Sequence, residues 1–377
     1  MPATHIRETI IRSAKTIVVK IGTAVLTRPD GRLDRALIGQ LVGQIAALRE
    51  RGLDVTVVSS GAVAAGMGVA GIRTRPRSIP MLQAVAAVGQ PALMALFESA
   101  FKSHRLHAAQ VLLTRGDFEH RARYLNIRNT IAALHKLNAI PVINENDTVA
   151  VDEIRFGDND LIAAYTANLL GADLMIILTV IDGLLDANGQ LVPVIRNVDD
   201  NVTRLATTRR TQLGSGGMRT KLEAARIVTD AGEVALIANG RSHDVLLRLL
   251  DGEALRTLFV PSPRKLSARK RWIGLTVWPA GKVFIDAGAA RALSRRGKSL
   301  LASGIVRVSG RFKRGDVIEV VDADGARIGR GLSNYDAADV NAVKGLRTTQ
   351  FARVLGDKPY DEIVHRDNFV AAPVEPG

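Results

Sequence analysis

"TIVVKIGTAVLTRPDGRLDRALIGQLVGQIAALRERGLDVTVVSSGA", residues 16–62, sets the architecture of the chain. It opens with "TIVVKIG" (16–22), a β-branched apolar run that reads as a buried strand. "DRALIGQLVGQIAALRER" (34–51) then spaces its apolar residues as a helix does, and "LDVTVVSSGA" (53–62) returns to strand. Strands that do not alternate apolar with polar are covered on both faces, which favours a parallel sheet. The same rhythm continues. Strands are expected at 107–113, 139–144, 173–179 and 233–238, with helices at 123–137 and 160–170 among them. The fold class is α/β, a mostly parallel sheet with helices on both faces.

In such sheets ligands sit beyond the C-terminal strand ends, so the residues just after each strand carry the interest. Lys20 ends the first strand, and its ammonium there needs an anion or water. Ser59, Ser60 and Gly61 lead from the second strand into a helix, either as a serine cap or as a nest of N–H groups for an anion. "NENDTV" (144–149) follows a strand and "FGDNDLIAA" (156–164) comes soon after, gathering Asn144, Glu145, Asn146, Asp147, Asp158, Asn159 and Asp160. Caps and turns explain such residues singly; two clusters at strand ends point to a substrate amino group and to the orientation of cations. "GSGGMRTKLEAA" (214–225) places three glycines before a lysine at a helix start. It reads either as a plain loop or as an anion cradle. Arg219 keeps it from matching the phosphate-loop or the dinucleotide glycine pattern.

Composition narrows the class. The 377 residues suit two domains, and the absence of cysteine removes disulfides, thiolate metal sites and a cysteine nucleophile. The seven histidines show no metal-ligand spacing, and "SSGA" is not a nucleophile elbow. Charges break every apolar run near the N-terminus, so no secretory signal is expected. The uncharged stretch 79–97 is long enough to span a bilayer, but Pro80, Gln83, Gln90 and Pro91 make it a core helix broken near Gly89-Gln90-Pro91. A protein without membrane contact is expected. The net charge of +14 is concentrated late, with 18 Lys and Arg against 7 Asp and Glu between 261 and 350. "PSPRKLSARKRW" (261–272) reads as a linker, and short strands with glycine turns follow, as in a compact barrel-like β domain.

"VVKIGTAVLT", "SSGAVAAG", "PVINENDTV", "FGDND", "LTVIDGL" and "GSGGMRTKLEAA" occur in the order of the amino-acid kinase fold and resemble the glutamate 5-kinases. The late basic block resembles a PUA domain. The resemblance implies a catalytic domain at 1–262, a linker at 263–272, a PUA domain at 273–355 and a tail at 356–377. It implies ATP-dependent phosphorylation of the γ-carboxylate of L-glutamate, the first step of proline biosynthesis, with proline as inhibitor. Mg²⁺ would arrive with ATP rather than in a protein metal site. Carried over by position, Lys20 and Lys221 flank the transferred phosphoryl group and Asp160 holds both. Thr179, Val180, Ser215, Gly216, Gly217, Met218, Arg219, Thr220 and Lys221, with Lys20, line the ATP site; Ser60, Asp147 and Asn159 bind glutamate. The family's Thr-Asp and Gly-Leu-Tyr are here Thr179-Val180 and Gly183-Leu184-Leu185, which removes a carboxylate and an aromatic ring from the nucleotide side. A cytoplasmic homo-oligomer, dimer or tetramer, is expected. RNA is a second reading for the basic block, whose few aromatics (Trp272, Trp278, Phe284, Phe312, Tyr335) argue against it as the main partner.

Overall fold

The computed structural model describes residues 11, 13–150, 159–205, 217–254, 256–263, 265–356 and 360–372. The chain divides into two compact units, Met1–Lys265 and Leu266–Gly377.

The first unit is built on an eight-stranded sheet ordered β3-β4-β2-β1-β5-β7-β8-β6. The six strands expected from the sequence are β1 (Thr16–Ile21), β2 (Asp54–Ser59), β3 (His107–Leu113), β4 (Ala139–Glu145), β5 (Leu174–Thr179) and β7 (Val234–Asn239), all paired in parallel. Two short strands, β6 (Val194–Ile195) and β8 (Arg256–Phe259), escape the pattern, and β8 runs antiparallel to β7. Four-residue and two-residue runs are too short to show a period.

Helix α1 (Arg35–Glu50) starts on Asp34, whose carboxylate accepts from the Leu37 N–H, and buries Leu41, Val42 and Ile45. It shares a core with Ile17, Val19 and Ile21 of β1, α3 (Ile79–Lys102) and α7 (Val245–Leu250). The two-residue alternation of a strand sends Lys20 to the opposite face. There α4 (Arg121–Lys136), α5 (Asn159–Leu170) and α6 (Met218–Asp230) lie.

Two outcomes differ from the sequence reading. The helix start after β2 is capped by Gly61 rather than a serine, at φ +110°, a conformation glycine adopts without strain; it opens α2 (Ala62–Val69). The apolar stretch at 79–97 is not broken: α3 is one helix with Pro91 inside it. Pro91 and Ala87, whose carbonyl the proline frees, lie on the exposed face, where water satisfies that oxygen. α3 is also the one helix among the described residues whose length and composition would cross a membrane. Its Leu82, Val85, Leu93, Phe97 and Phe101 are buried, and it crosses α2 so tightly that a Cβ on Gly66 would come within 1.8 Å of the Val85 carbonyl oxygen, and one on Gly89 within 1.9 Å of that of Ala62.

The second unit holds a mixed five-stranded sheet, β10 (Ile305–Gly310), β9 (Gly281–Ile285), β11 (Val317–Val321), β12 (Arg327–Leu332) and β13 (Phe369–Ala371) in that order. Here the sequence reading missed α8 (Ala287–Arg296), a ten-residue helix capped by Asp286 and ended by Gly297 at φ +56°. The stretch expected as a tail supplies β13, which pairs with β12 and buries Phe369. Within the expected linker, Ser267 caps a helical turn at Ala268–Arg271.

Candidate active site

The C-terminal ends of β1, β2, β4 and β5 bring the singled-out residues to one edge of the sheet. At its centre are three charges. Asp160, in the first turn of α5 and fully buried, pairs through Oδ1 with Lys20 Nζ at 2.7 Å and through Oδ2 with Lys221 Nζ at 3.1 Å. Both lysines are themselves buried, at 4% and 7% exposure, so solvent screens neither pair. Thr220 Oγ1 lies 2.7 Å from Asp160 Oδ2 and 2.9 Å from the Gly217 carbonyl oxygen, tying the start of α6 to the cluster.

The electrostatics follow from burial. Desolvation alone would push the Asp160 carboxyl up, but Lys20, Lys221 and the Thr220 hydrogen bond outweigh it and hold it well below the usual carboxylate range. For Lys20 burial is the largest influence and lowers its pKa; Asp160 pulls it up, Lys221 pulls it down, and the net is downward. With Asp160 ionised and both lysines protonated, two cations share one anion. The surplus is one positive charge in a dry place, which an arriving anion satisfies.

The surrounding geometry leaves room for that anion. A Cβ on Gly22 would stand 3.6 Å from Lys20 Nζ and 3.3 Å from the Leu178 carbonyl oxygen, so the glycine keeps one side of the ammonium open. Gly217, exposed and extended at φ −75°, ψ 176°, begins α6 with no side-chain cap, and a Cβ there would meet nothing within 4 Å. The first N–H groups of this thirteen-residue helix thus have no side-chain cap among the described residues. Met218 and Arg219 occupy that first turn; Ser215 and Gly216 lie outside the described residues.

A polar limb extends from the charged cluster. Asn159, next to Asp160, donates through Nδ2 to Asn144 Oδ1 at 3.0 Å. Ser60 follows β2; its N–H donates to the Ile21 carbonyl at 3.1 Å, and its hydroxyl has no hydrogen-bond partner among the described residues. Asp147, in the loop after β4, makes no hydrogen bond or ion pair to these groups among the described residues. Burial raises its carboxyl to about 6, with Arg75 offsetting only part of the rise. Asp158 is outside the described residues. On the other flank, Thr179 ends β5 opposite Asn239 of β7, Val180 is 36% exposed, and Asn239 Nδ2 donates to Asp182 Oδ1 at 3.0 Å.

The profile of the amino acid kinase family matches residues 15–239, and that of the PUA domain residues 281–355. A protein of Syntrophus aciditrophicus named glutamate 5-kinase is 47% identical over 368 residues, covering 96% of this chain and 95% of its own length. Proteins of the same name from Geobacter sp. strain M21 and Geobacter sulfurreducens are each 45% identical over 370 residues, at 97% and 99% coverage. The chain belongs to the glutamate 5-kinases of the amino acid kinase family.

In this glutamate 5-kinase Val180 is an apolar, partly exposed residue beyond β5. Asp182, two residues on, is exposed and holds Asn239. Four residues around the site had no site role in the sequence reading of this glutamate 5-kinase. Gly22 matters for the atoms it lacks. Arg75 acts from the "RTRPR" loop, which no strand end flags. Gln90 lies on the helix read as core and Gln110 on β3, and their contacts with each other and with Asn144 are visible only once α3 is laid against β3 and β4.

Proposed function

We infer that this chain transfers the γ-phosphoryl group of ATP to the γ-carboxylate of L-glutamate, giving γ-glutamyl phosphate and ADP. One observation carries the reading: two buried lysines share one buried carboxylate at the sheet edge where an uncapped helix start opens. The curated relatives supply the acceptor.

A carboxylate is already a nucleophile at neutral pH, so no general base is required. The barrier lies in bringing two anions into line and in absorbing charge as it moves. A glutamate γ-oxygen bonds to the γ-phosphorus while the bond to the β–γ bridging oxygen breaks, and the electron pair leaves with ADP. Lys20 and Lys221 flank the phosphoryl group, and Asp160 keeps both ammonium groups on station. Ser215, Gly216, Gly217, Met218, Arg219 and Thr220 hold the phosphates, with Thr179 and Val180 on the nucleotide side. Positioned cations of this kind are worth roughly 10²–10³ in turnover each. Ser60, Asp147 and Asn159 receive glutamate; Asp147 offers a carboxylate to its α-ammonium.

The space beside Gly22 and the uncapped start of α6 fit a nucleotide's phosphates. Among the described residues no three His, Asp or Glu side chains converge as a metal cage. Mg²⁺ would arrive with ATP and would offset the charge of its phosphates. The reading includes a cytoplasmic homo-oligomer, dimer or tetramer, feedback inhibition by proline at the glutamate site, and an unassigned task for the basic domain.

The test is glutamate-dependent ADP release with ATP and Mg²⁺, the acyl phosphate being trapped with hydroxylamine. Hydroxamate with L-glutamate and none with N-acetylglutamate or aspartate is the expected result. Preference for another acid overturns the substrate, and no product with any acid overturns the reaction. Proline raising the apparent KM for glutamate is expected in the same assay.

A further inference from the structure

Four side-chain amides run in single file from the surface to the site. Gln90 Nε2 on α3 donates to Gln110 Oε1 on β3 at 3.3 Å, and Asn144 Nδ2 at the end of β4 donates to Gln90 Oε1 at 2.8 Å. Asn159 Nδ2 completes the file by donating to Asn144 Oδ1 at 3.0 Å. An amide turned end for end exchanges donor and acceptor, so such a file has two possible polarities. One contact removes the choice. The main-chain N–H of Glu145 donates to Asn144 Oδ1 at 2.9 Å, and a backbone N–H is a donor in any state. Asn144 Oδ1 is therefore an acceptor, its Nδ2 faces Gln90, and Asn159 must offer its own Nδ2.

The carbonyl oxygen of Asn159 is then turned away from the file. It is buried and has no hydrogen-bond partner among the described residues. Buried polar atoms are nearly always paired, and an exception calls for a ligand or a water. This one sits one residue from the carboxylate that holds both lysines. Gln90 and Asn144 are 8% and 2% exposed, so solvent does not readily replace either partner. α3 is also pinned at this turn, because Gly89 lies against α2 with no room for a Cβ.

We propose that Gln90 is a positioning residue for the acceptor substrate: by accepting from Asn144 Nδ2 it anchors the side chain whose oxygen, its polarity set by the Glu145 N–H, holds Asn159 so that a carbonyl oxygen meets the α-ammonium of glutamate. This deepens the assignment of glutamate as acceptor and rests on it. An ammonium has only donors, which matches the fixed acceptor. An N-acylated amino group keeps a single N–H for that acceptor and adds a carbonyl oxygen that the acceptor cannot pair. The amide file is thus a device for choosing a free amino acid, and its far end lies well away from the chemistry.

The experiment measures kcat and both KM values on the purified full chain, with melting temperatures alongside. Gln90→Met keeps the length of the side chain and removes its polar atoms. It is expected to raise the glutamate KM about tenfold, the equivalent of one positioned hydrogen bond. The ATP KM, kcat and melting temperature stay within about twofold or a few degrees of wild type. Gln90→Glu keeps an acceptor for Asn144 in either ionisation state and is expected to restore the glutamate KM to within about threefold. Asn144→Leu removes the acceptor that holds Asn159 without altering α3 and is expected to raise the glutamate KM at least as far as Gln90→Met. An unchanged glutamate KM in Gln90→Met and Asn144→Leu overturns the proposal, as does a parallel rise of both KM values or equal damage in Gln90→Glu. A wild-type chain that phosphorylates no glutamate removes the substrate assignment itself, a result distinct from an active wild type whose variants are silent.

Discussion

Replacing Asp160 by asparagine isolates what its charge does. The residue keeps its size, yet two buried ammonium groups lose an anion at 2.7 and 3.1 Å. At an effective dielectric of about 20, each contact is worth about 5 kcal/mol of Coulomb energy before desolvation is set against it. An escape limits the damage. A lysine with an ordinary pKa of about 10.4 can be made neutral at pH 7 for about 4–5 kcal/mol, so the loss per ammonium does not exceed that. Measured losses for breaking buried pairs, about 3–5 kcal/mol, lie in the same range. For a unit of this size that is roughly a 10 °C fall in melting temperature. The pH dependence carries the sign. Asp160 has a depressed folded pKa, so in the wild type its stabilisation is present above the unfolded value of about 4 and is lost as pH falls through the folded one. In Asp160→Asn the folded state binds fewer protons at the lysines than the unfolded chain, so stability climbs as pH rises toward about 10. The gap between the two proteins should be widest near pH 5 to 6, narrow as pH rises toward about 10, and close as pH falls from about 4 through the folded value of Asp160. Melting curves of the ligand-free protein across that range, with hydroxamate formation at pH 7.5, are the assay. Turnover should drop at least about 10²-fold. A variant that melts within 2 °C of wild type (about 0.5–1 kcal/mol) with no pH trend, or that keeps most of its turnover, would refute the claim that one carboxylate holds both lysines.

Further outcomes follow from neighbouring features. Lys221→Ala is expected to lower kcat by about 10² or more while the circular dichroism spectrum stays native, and near-normal turnover would remove its assigned role. Because burial raises the Asp147 carboxyl to about 6, the glutamate KM should climb as pH falls below that value. Asp147→Asn should raise both that KM and the melting temperature above pH 6, since it removes a charge the fold disfavours; a pH-independent KM counts against the contact with the ammonium. Gly89→Ala inserts a methyl where 1.9 Å separates it from a carbonyl oxygen, and at about 1–3 kcal/mol for overpacking it should lower the melting temperature by roughly 2–10 °C. An unchanged melting temperature would mean that α2 and α3 part without cost.

The sheet was legible because each of its six long strands carries an apolar run and is followed by polar residues. Those same polar residues marked the site edge, so Lys20, Ser60, Asn144, Asn159 and Asp160 could be nominated from their position after a strand. Lys221 could be nominated only by its glycines and by resemblance, since nothing in "RTKLEA" says that its ammonium folds back onto Asp160. The break expected at Pro91 does not occur, and the expected tail after 355 carries β13, because a proline on an exposed helix face and a late three-residue strand are decided by surroundings that no local pattern shows. Gln90 lies deepest of all. A glutamine in an apolar helix looks like a tolerated polar residue until β4 supplies the asparagine it holds.

The site's charge balance also explains why it needs no dedicated base. Two lysines facing one carboxylate leave a single buried positive charge, and burial already lowers the pKa of Lys20. An arriving triphosphate brings the negative charge that the pocket lacks, so binding opposes the lowering of Lys20 when the phosphoryl group is about to move. Had the acceptor been an alcohol, some group nearby would have had to take its proton. Asp160, fully buried and held by two cations and a hydroxyl, is far too weak a base for that. An acceptor already ionised, as the γ-carboxylate of glutamate is at neutral pH, is the one such a site can use.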